Sequence, residues 1–143
     1  MPPRRDAASN WKCDTLYRIL PGVKMVFTQL PLFVANWRRA RPRLGDEDLQ
    51  ALEIALIEDP TAGDVMKGTG GLRKVRFAPP SRGVGKSGAL RVCYVHFPRH
   101  ARLYLVTLFA KNEKDNLARA EQNAIKVLIG RIGTALDAGE TNA

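Results

Sequence analysis

The chain has 143 residues, the size of one ordinary domain. Apolar residues make up 45% and charged residues 26%, which excludes wholesale disorder, and no window approaches the ~18–20 consecutive apolar residues of a membrane-spanning helix. With 23 Lys and Arg against 14 Asp and Glu, the net charge is +9, which favours a polyanionic partner: nucleic acid or a ribosome first, an anionic membrane second, an acidic protein third.

Residues 1–24 show no sustained period and no apolar run that would make a secretory signal. They read as a loose extension, and Met25, which opens the first clean pattern, is a candidate natural start that the intact mass of the natural product would settle. Residues 25–30 predict a short strand. Pro31 suits the first turn of a following helix, where Phe33 and Trp37 lie four apart on one face. Arg38, Arg39, Arg41 and Arg43 close that helix as its dipole prefers, with Pro42 as a breaker. Asp46, Glu47 and Asp48 open a second helix, Leu49, Leu52 and Leu56 line one side of it, and Pro60 stops it.

A glycine turn over 68–71 leads to a strand over 72–78 and then to a Gly- and Pro-rich loop. The apolar runs 90–97 and 103–110, split by Pro98 and the residues after it, predict a central hairpin buried on two faces. Leu117, Glu121, Ala124, Ile125, Leu128, Ile129, Ile132 and Leu136 form a helical stripe behind a cap at Asn116 or Asp115. The order β-α-α-β-β-β-α gives an α+β domain over 25–136, a mostly antiparallel sheet with its helices on one side, followed by a flexible tail, 137–143.

The charge is segregated. From 45 to 66 there are seven acidic residues and no Lys or Arg; from 67 to 112 there are ten Lys or Arg and no Asp or Glu. Basic residues of the second stretch therefore rely on solvent, on the acidic stretch or on a bound anion.

Several apparent motifs carry no chemistry. The run from Gly83 to Ser87 imitates a P-loop, but Pro80 stands where that loop needs a glycine and a strand follows where it needs a helix. His96 and His100 have helical metal-pair spacing, yet Pro98 between them breaks any helix and no third ligand is near. Two cysteines, Cys13 and Cys93, are too few for a disulfide scaffold and fit a reducing cytoplasm, with Cys93 in the core.

The strand over 72–78 is different. Its alternation places Lys74 and Arg76 on one face, ~6.7 Å apart, and Val75 and Phe77 on the other. Two such cations suit adjacent oxygens of a phosphate backbone. Arg91 and Lys111, at neighbouring strand ends, can converge on the same surface. A lysine set among cations gives up its proton more readily and can act as a general base, while arginines stabilise the charge of a pentacoordinate phosphorane. With no carboxylate in this half of the chain, any such chemistry runs on Lys and Arg; a passive phosphate-binding face is the simpler alternative.

The run Asp59-Pro60-x-x-Gly63-Asp64-Val65-Met66-x-Gly68-Thr69-Gly70-Gly71-Leu72-Arg73-Lys74-Val75-Arg76 resembles the signature of RelE/HigB-type toxins of bacterial type II toxin–antitoxin modules, in the RelE/ParE superfamily. The segment from Gly85 to Tyr94 and the run through Lys111 to Lys114 continue the resemblance in order, over about 25–136. It implies a RelE-like fold and a ribosome-dependent messenger RNA endoribonuclease of the cytoplasm that needs no metal or cofactor. The implied catalytic residues are Lys74 in proton transfer with Arg76, Arg91 and Lys111 around the phosphate. Arg38, Arg39, Arg73, Arg82 and Lys86 become candidates for docking on ribosomal RNA. The implied partners are the ribosome, the message and a cognate helix-turn-helix antitoxin of HigA type, through which alone operator DNA would be contacted; no membrane is involved. The sequence departs from the family's pattern at Ala89, which replaces a glycine, at Asn112, where some relatives carry arginine, and in lacking a late tyrosine. Two alternatives share these features: a ParE-like gyrase inhibitor that cleaves nothing, and a non-catalytic RNA-binding remnant.

Overall fold

The computed structural model describes residues 25–82, 89–110 and 116–139, together with the backbone of 13–17. The chain runs β1 (Cys13–Tyr17), β2 (Met25–Gln29), α1 (Pro31–Arg39), α2 (Asp46–Glu58), β3 (Asp64–Val65), β4 (Arg73–Phe77), β5 (Leu90–Phe97), β6 (Arg102–Ala110) and α3 (Arg119–Asp137). One six-stranded sheet holds these strands in the order β1-β2-β6-β5-β4-β3. Neighbours are antiparallel except β2 and β6, which run parallel. The fold is α+β, as the sequence pattern predicts.

The hairpin of β5 and β6 lies at the centre and is buried on both faces, which explains its continuous apolar runs. Leu90, Val92 and Tyr94 face a core built with Phe33 of α1 and with Leu52 and Leu56 of α2. Cys93 and Val95 face a second core built with Ile125, Ile129 and Leu136 of α3. The helices thus cover both faces, not the one expected. A sheet whose central strands are apolar on both sides needs a layer on each. In β6 the alternation slips by one residue: Cys93 pairs with Thr107 and Tyr94 with Leu105, leaving Val106 bulged. The bulge lets Leu105 and Leu108 serve the same core despite their odd spacing.

Local chemistry accounts for the helix ends. Phe33 and Trp37 stack with ring centroids 5.5 Å apart, as their spacing predicts. At the start of α2, the Gly45 N–H donates to the Asp48 carboxylate at 2.8 Å, satisfying one of the orphan donors of the first turn. α3 begins later than predicted, capped at Ala118 and not at Asn116 or Asp115. The Glu121 carboxylate reaches back to accept the Ala118 N–H at 2.9 Å. Its stripe is also narrower, since Ala124 and Leu128 are exposed while Ile125, Ile129 and Leu136 are buried.

Two strands were invisible in the sequence pattern. β3 has only two residues, too few to show an alternation, and β1 lies inside the predicted loose extension, where its five residues pair with β2. The rest of that extension, the loop 83–88 and the last four tail residues lie outside the described residues. Among the described residues, no helix is long and apolar enough to cross a membrane.

Candidate functional site

The β3–β4 hairpin is held by a compact turn. The Met66 N–H donates to the Leu72 carbonyl at 2.8 Å, and the buried Thr69 hydroxyl donates to the Met66 carbonyl at 2.6 Å while accepting the Leu72 N–H. Gly70 takes φ +77° within this turn and lies against Lys126 of α3, so the glycine run both turns the chain and seats a helix. Upstream, Gly63 approaches β4 so closely that a Cβ there would sit 2.9 Å from the Lys74 carbonyl oxygen. Buried Tyr94 ties this segment down: its hydroxyl accepts the Gly63 N–H at 3.0 Å and donates to the Pro60 carbonyl at 2.7 Å. Burial raises the Tyr94 pKa, against the lowering effects of the Gly63 N–H and of Arg73, so the phenol stays protonated and holds both bonds.

With β4 so placed, its side chains divide between the faces. Directly opposed cross-strand residues share a face. Lys74 pairs with Cys93, and Arg76 with Arg91, which in turn pairs with Phe109. Cys93 and Phe109 belong to the α3 core. Lys74, Arg76 and Arg91 therefore lie together on the α3 face, beside the part of the sheet that α3 covers. Lys74 and Arg91 are half-buried and Arg76 is exposed. Neither arginine forms an ion pair with a described residue. Two guanidinium groups directly across a ladder repel by a few tenths to about 1 kcal/mol unless an anion sits between them.

The surface is not carboxylate-free, as the sequence suggested. In the β3–β4 ladder Asp64 is the partner of Lys74, which places its carboxylate on the same face. The register was countable: a turn closed by Met66 and Leu72 folds residue 64 back onto residue 74. A two-residue strand across a glycine turn gave no period by which to see it.

The remaining candidates separate. Arg73 points to the other face, where its guanidinium donates to the Gly63 carbonyl at 2.6 Å and to Thr61 at 3.4 Å; it braces the loop before β3. Burial and the nearby charge of Arg73 lower the pKa of half-buried His96, which favours its neutral form. His100 lies apart from His96, against Asp137 at the end of α3. Arg38 and Arg39 end α1, with Arg39 donating to the Asn36 amide oxygen at 2.6 Å. Arg82 donates to the Pro42 carbonyl at 2.8 Å, and its charge acts on Asp48. Lys86 and Lys111 lie outside the described residues. No protein-family model matches the chain.

Three cations fixed on adjacent strands, with one carboxylate beside the lysine, can hold a phosphodiester, neutralise added charge on it and exchange a proton with it.

Proposed function

We propose that this chain is a RelE/HigB-type toxin, an endoribonuclease that cuts messenger RNA on the ribosome in the bacterial cytoplasm. The observation that carries the reading is the register that sets Arg76 opposite Arg91, with Lys74 on the same face. In the proposed reaction, the 2′-hydroxyl of the nucleotide 5′ to the cut gives up its proton and attacks its own 3′-phosphate. The P–O5′ bond breaks, leaving a 2′,3′-cyclic phosphate on one product and a 5′-hydroxyl, which takes up a proton, on the other. Because the nucleophile is part of the substrate, the protein's share is alignment, proton transfer and charge. Lys74 serves in proton transfer, with the Asp64 carboxylate beside it as an acceptor. Arg76 and Arg91 hold the non-bridging oxygens, and Lys111 joins them by the resemblance alone. A helix-turn-helix antitoxin would neutralise the toxin and carry any contact with operator DNA.

Mapping transcript 5′ ends after induction, with and without ongoing translation, tests the reading. New ends within codons that vanish when translation is blocked are expected, and Lys74→Ala and Arg91→Ala should abolish them together with growth arrest. Early loss of DNA synthesis, with transcripts intact, would instead mark a ParE-like gyrase inhibitor. Unchanged arrest and cleavage in both variants would overturn the site.

A further inference from the structure

On the α1 side of the sheet, back to back with Arg76 and Arg91, lies a cleft of about 280 Å³. It opens between the C-terminal end of α1 and the strand ends of β5 and β6. Its floor includes Leu90 and Leu108, both members of the α1–α2 core, and its rim includes Asn36, Arg39, Arg41 and Arg82. One residue along β5 separates Leu90, on this side, from Arg91 on the other. The two basic surfaces therefore occupy the same end of the sheet on opposite faces.

The rim is built in place by its own hydrogen bonds. Asn36 donates through its amide nitrogen to Thr107 of β6 at 2.9 Å and accepts from Arg39 at 2.6 Å through its oxygen. Arg41 donates through a single nitrogen to the carbonyls of Arg38 and Ala40. Arg82 is anchored to Pro42. A guanidinium has five N–H donors in a planar fork, so bonds of this kind orient Arg39 and Arg41 and leave each with further donors for an anion. No Asp or Glu is among the described residues lining the cleft. The nearby Asp48 carboxylate is taken by the N–H groups of Gly45 and Ser81 and by the Ser81 hydroxyl.

We propose that this cleft is a second anion site that binds the phosphate of one nucleotide, with the sugar or base resting on the Leu90–Leu108 floor. An arginine fork pairs bidentately with carboxylate or phosphate, but only a phosphate monoester, with three terminal oxygens and close to two charges, can engage two forks at once. At about 280 Å³ the cleft lies just under the roughly 300–1,000 Å³ of small-ligand sites, which limits the occupant to one nucleotide unit, part of it in solvent. The site is separate from the Lys74 face and does not depend on that face cutting RNA.

Calorimetric titration of the full chain with 5′-AMP, inorganic phosphate and acetate at one ionic strength tests this, and a short single-stranded RNA tells whether the phosphate is taken free or within a chain. AMP is expected to bind more tightly than phosphate, and acetate not at all. The Arg39→Ala/Arg41→Ala double variant should lose about tenfold or more in AMP affinity, as removal of charge-assisted bonds predicts, with an unchanged melting temperature. Because the Arg76–Arg91 face also takes phosphate, the titration is repeated in the Arg76→Ala/Arg91→Ala background. There AMP binding at the cleft should remain and should be lost when Arg39→Ala/Arg41→Ala is added, since the two faces are independent. Acetate binding as well as AMP, no AMP binding left in the Arg76/Arg91 background, or AMP binding in that background that survives the Arg39/Arg41 change would each overturn the proposal. In the Arg76/Arg91 background, tighter binding of the RNA than of AMP, lost on adding the Arg39/Arg41 change, would place the phosphate in a chain; equal binding would mark a free nucleotide.

Discussion

Arg76 of β4 and Arg91 of β5 are direct partners in an antiparallel ladder, two permanent positive charges held on one face of the sheet. Folding brings them together at some expense, and an anion between them removes it. Arg76→Thr should leave stability unchanged or raise it by up to about 1 kcal/mol in urea unfolding, because the like-charge contact is gone. The same variant should bind single-stranded RNA more weakly and with a shallower salt dependence in a fluorescence titration.

Arg73 behaves in the opposite way. Its guanidinium serves the Gly63 and Thr61 carbonyls on the other side of the strand, so Arg73→Ala should cost about 1–2 kcal/mol of stability, as loss of a charge-assisted bond at a half-buried site does. RNA affinity per folded molecule should stay at the wild-type value, measured well below the variant's melting temperature.

Tyr94→Phe removes one hydroxyl that serves two backbone groups, the Gly63 N–H and the Pro60 carbonyl. Leaving both without it should cost about 1–3 kcal/mol, read from chemical denaturation, and should increase hydrogen exchange at Gly63. Gly63→Ala should be worse than Tyr94→Phe, since the added carbon meets the backbone of Lys74 itself.

Asp48 gives the molecule an acid-sensitive joint between α2 and the turn at Ser81. Burial alone would raise its pKa, but the N–H donors of Gly45 and Ser81, the Ser81 hydroxyl and the charge of Arg82 outweigh that and hold it below the ordinary value. A carboxyl with a depressed folded pKa stabilises above its unfolded pKa, and that stability disappears as pH falls through the folded one. Melting temperature should therefore fall on acidification below about pH 4 more steeply in the wild type than in Asp48→Asn. At neutral pH, Asp48→Asn should be the less stable of the two.

Much of this architecture was legible from periodicity alone. The two-sided apolar runs of β5 and β6 marked the central hairpin, and the Lys74–Arg76 alternation correctly separated those cations from Val75 and Phe77. The pairing of Arg76 with Arg91 could be expected only in outline, because register depends on how the two strands pack as well as on the length of chain between them. Helix placement was misjudged because central strands buried on two faces were credited with a layer on only one. Asp64 was missed for a different reason: charge counting along the chain treats 64 and 74 as belonging to an acidic and a basic half, while a tight turn makes them neighbours. Arg73 stands in the sequence as a candidate for docking on ribosomal RNA; strand alternation sends it to the face opposite Lys74 and Arg76, where it braces the loop at Gly63.

The shortness of β3 also governs how the sheet ends. β3 reaches only Arg73 and Lys74, so the outer margin of β4 from Val75 to Phe77 extends past its neighbour. A second copy stacking margin to margin in antiparallel fashion would bring arginine toward arginine. The charges that would grip a polyanion thus also discourage the chain from polymerising through its own unfinished border.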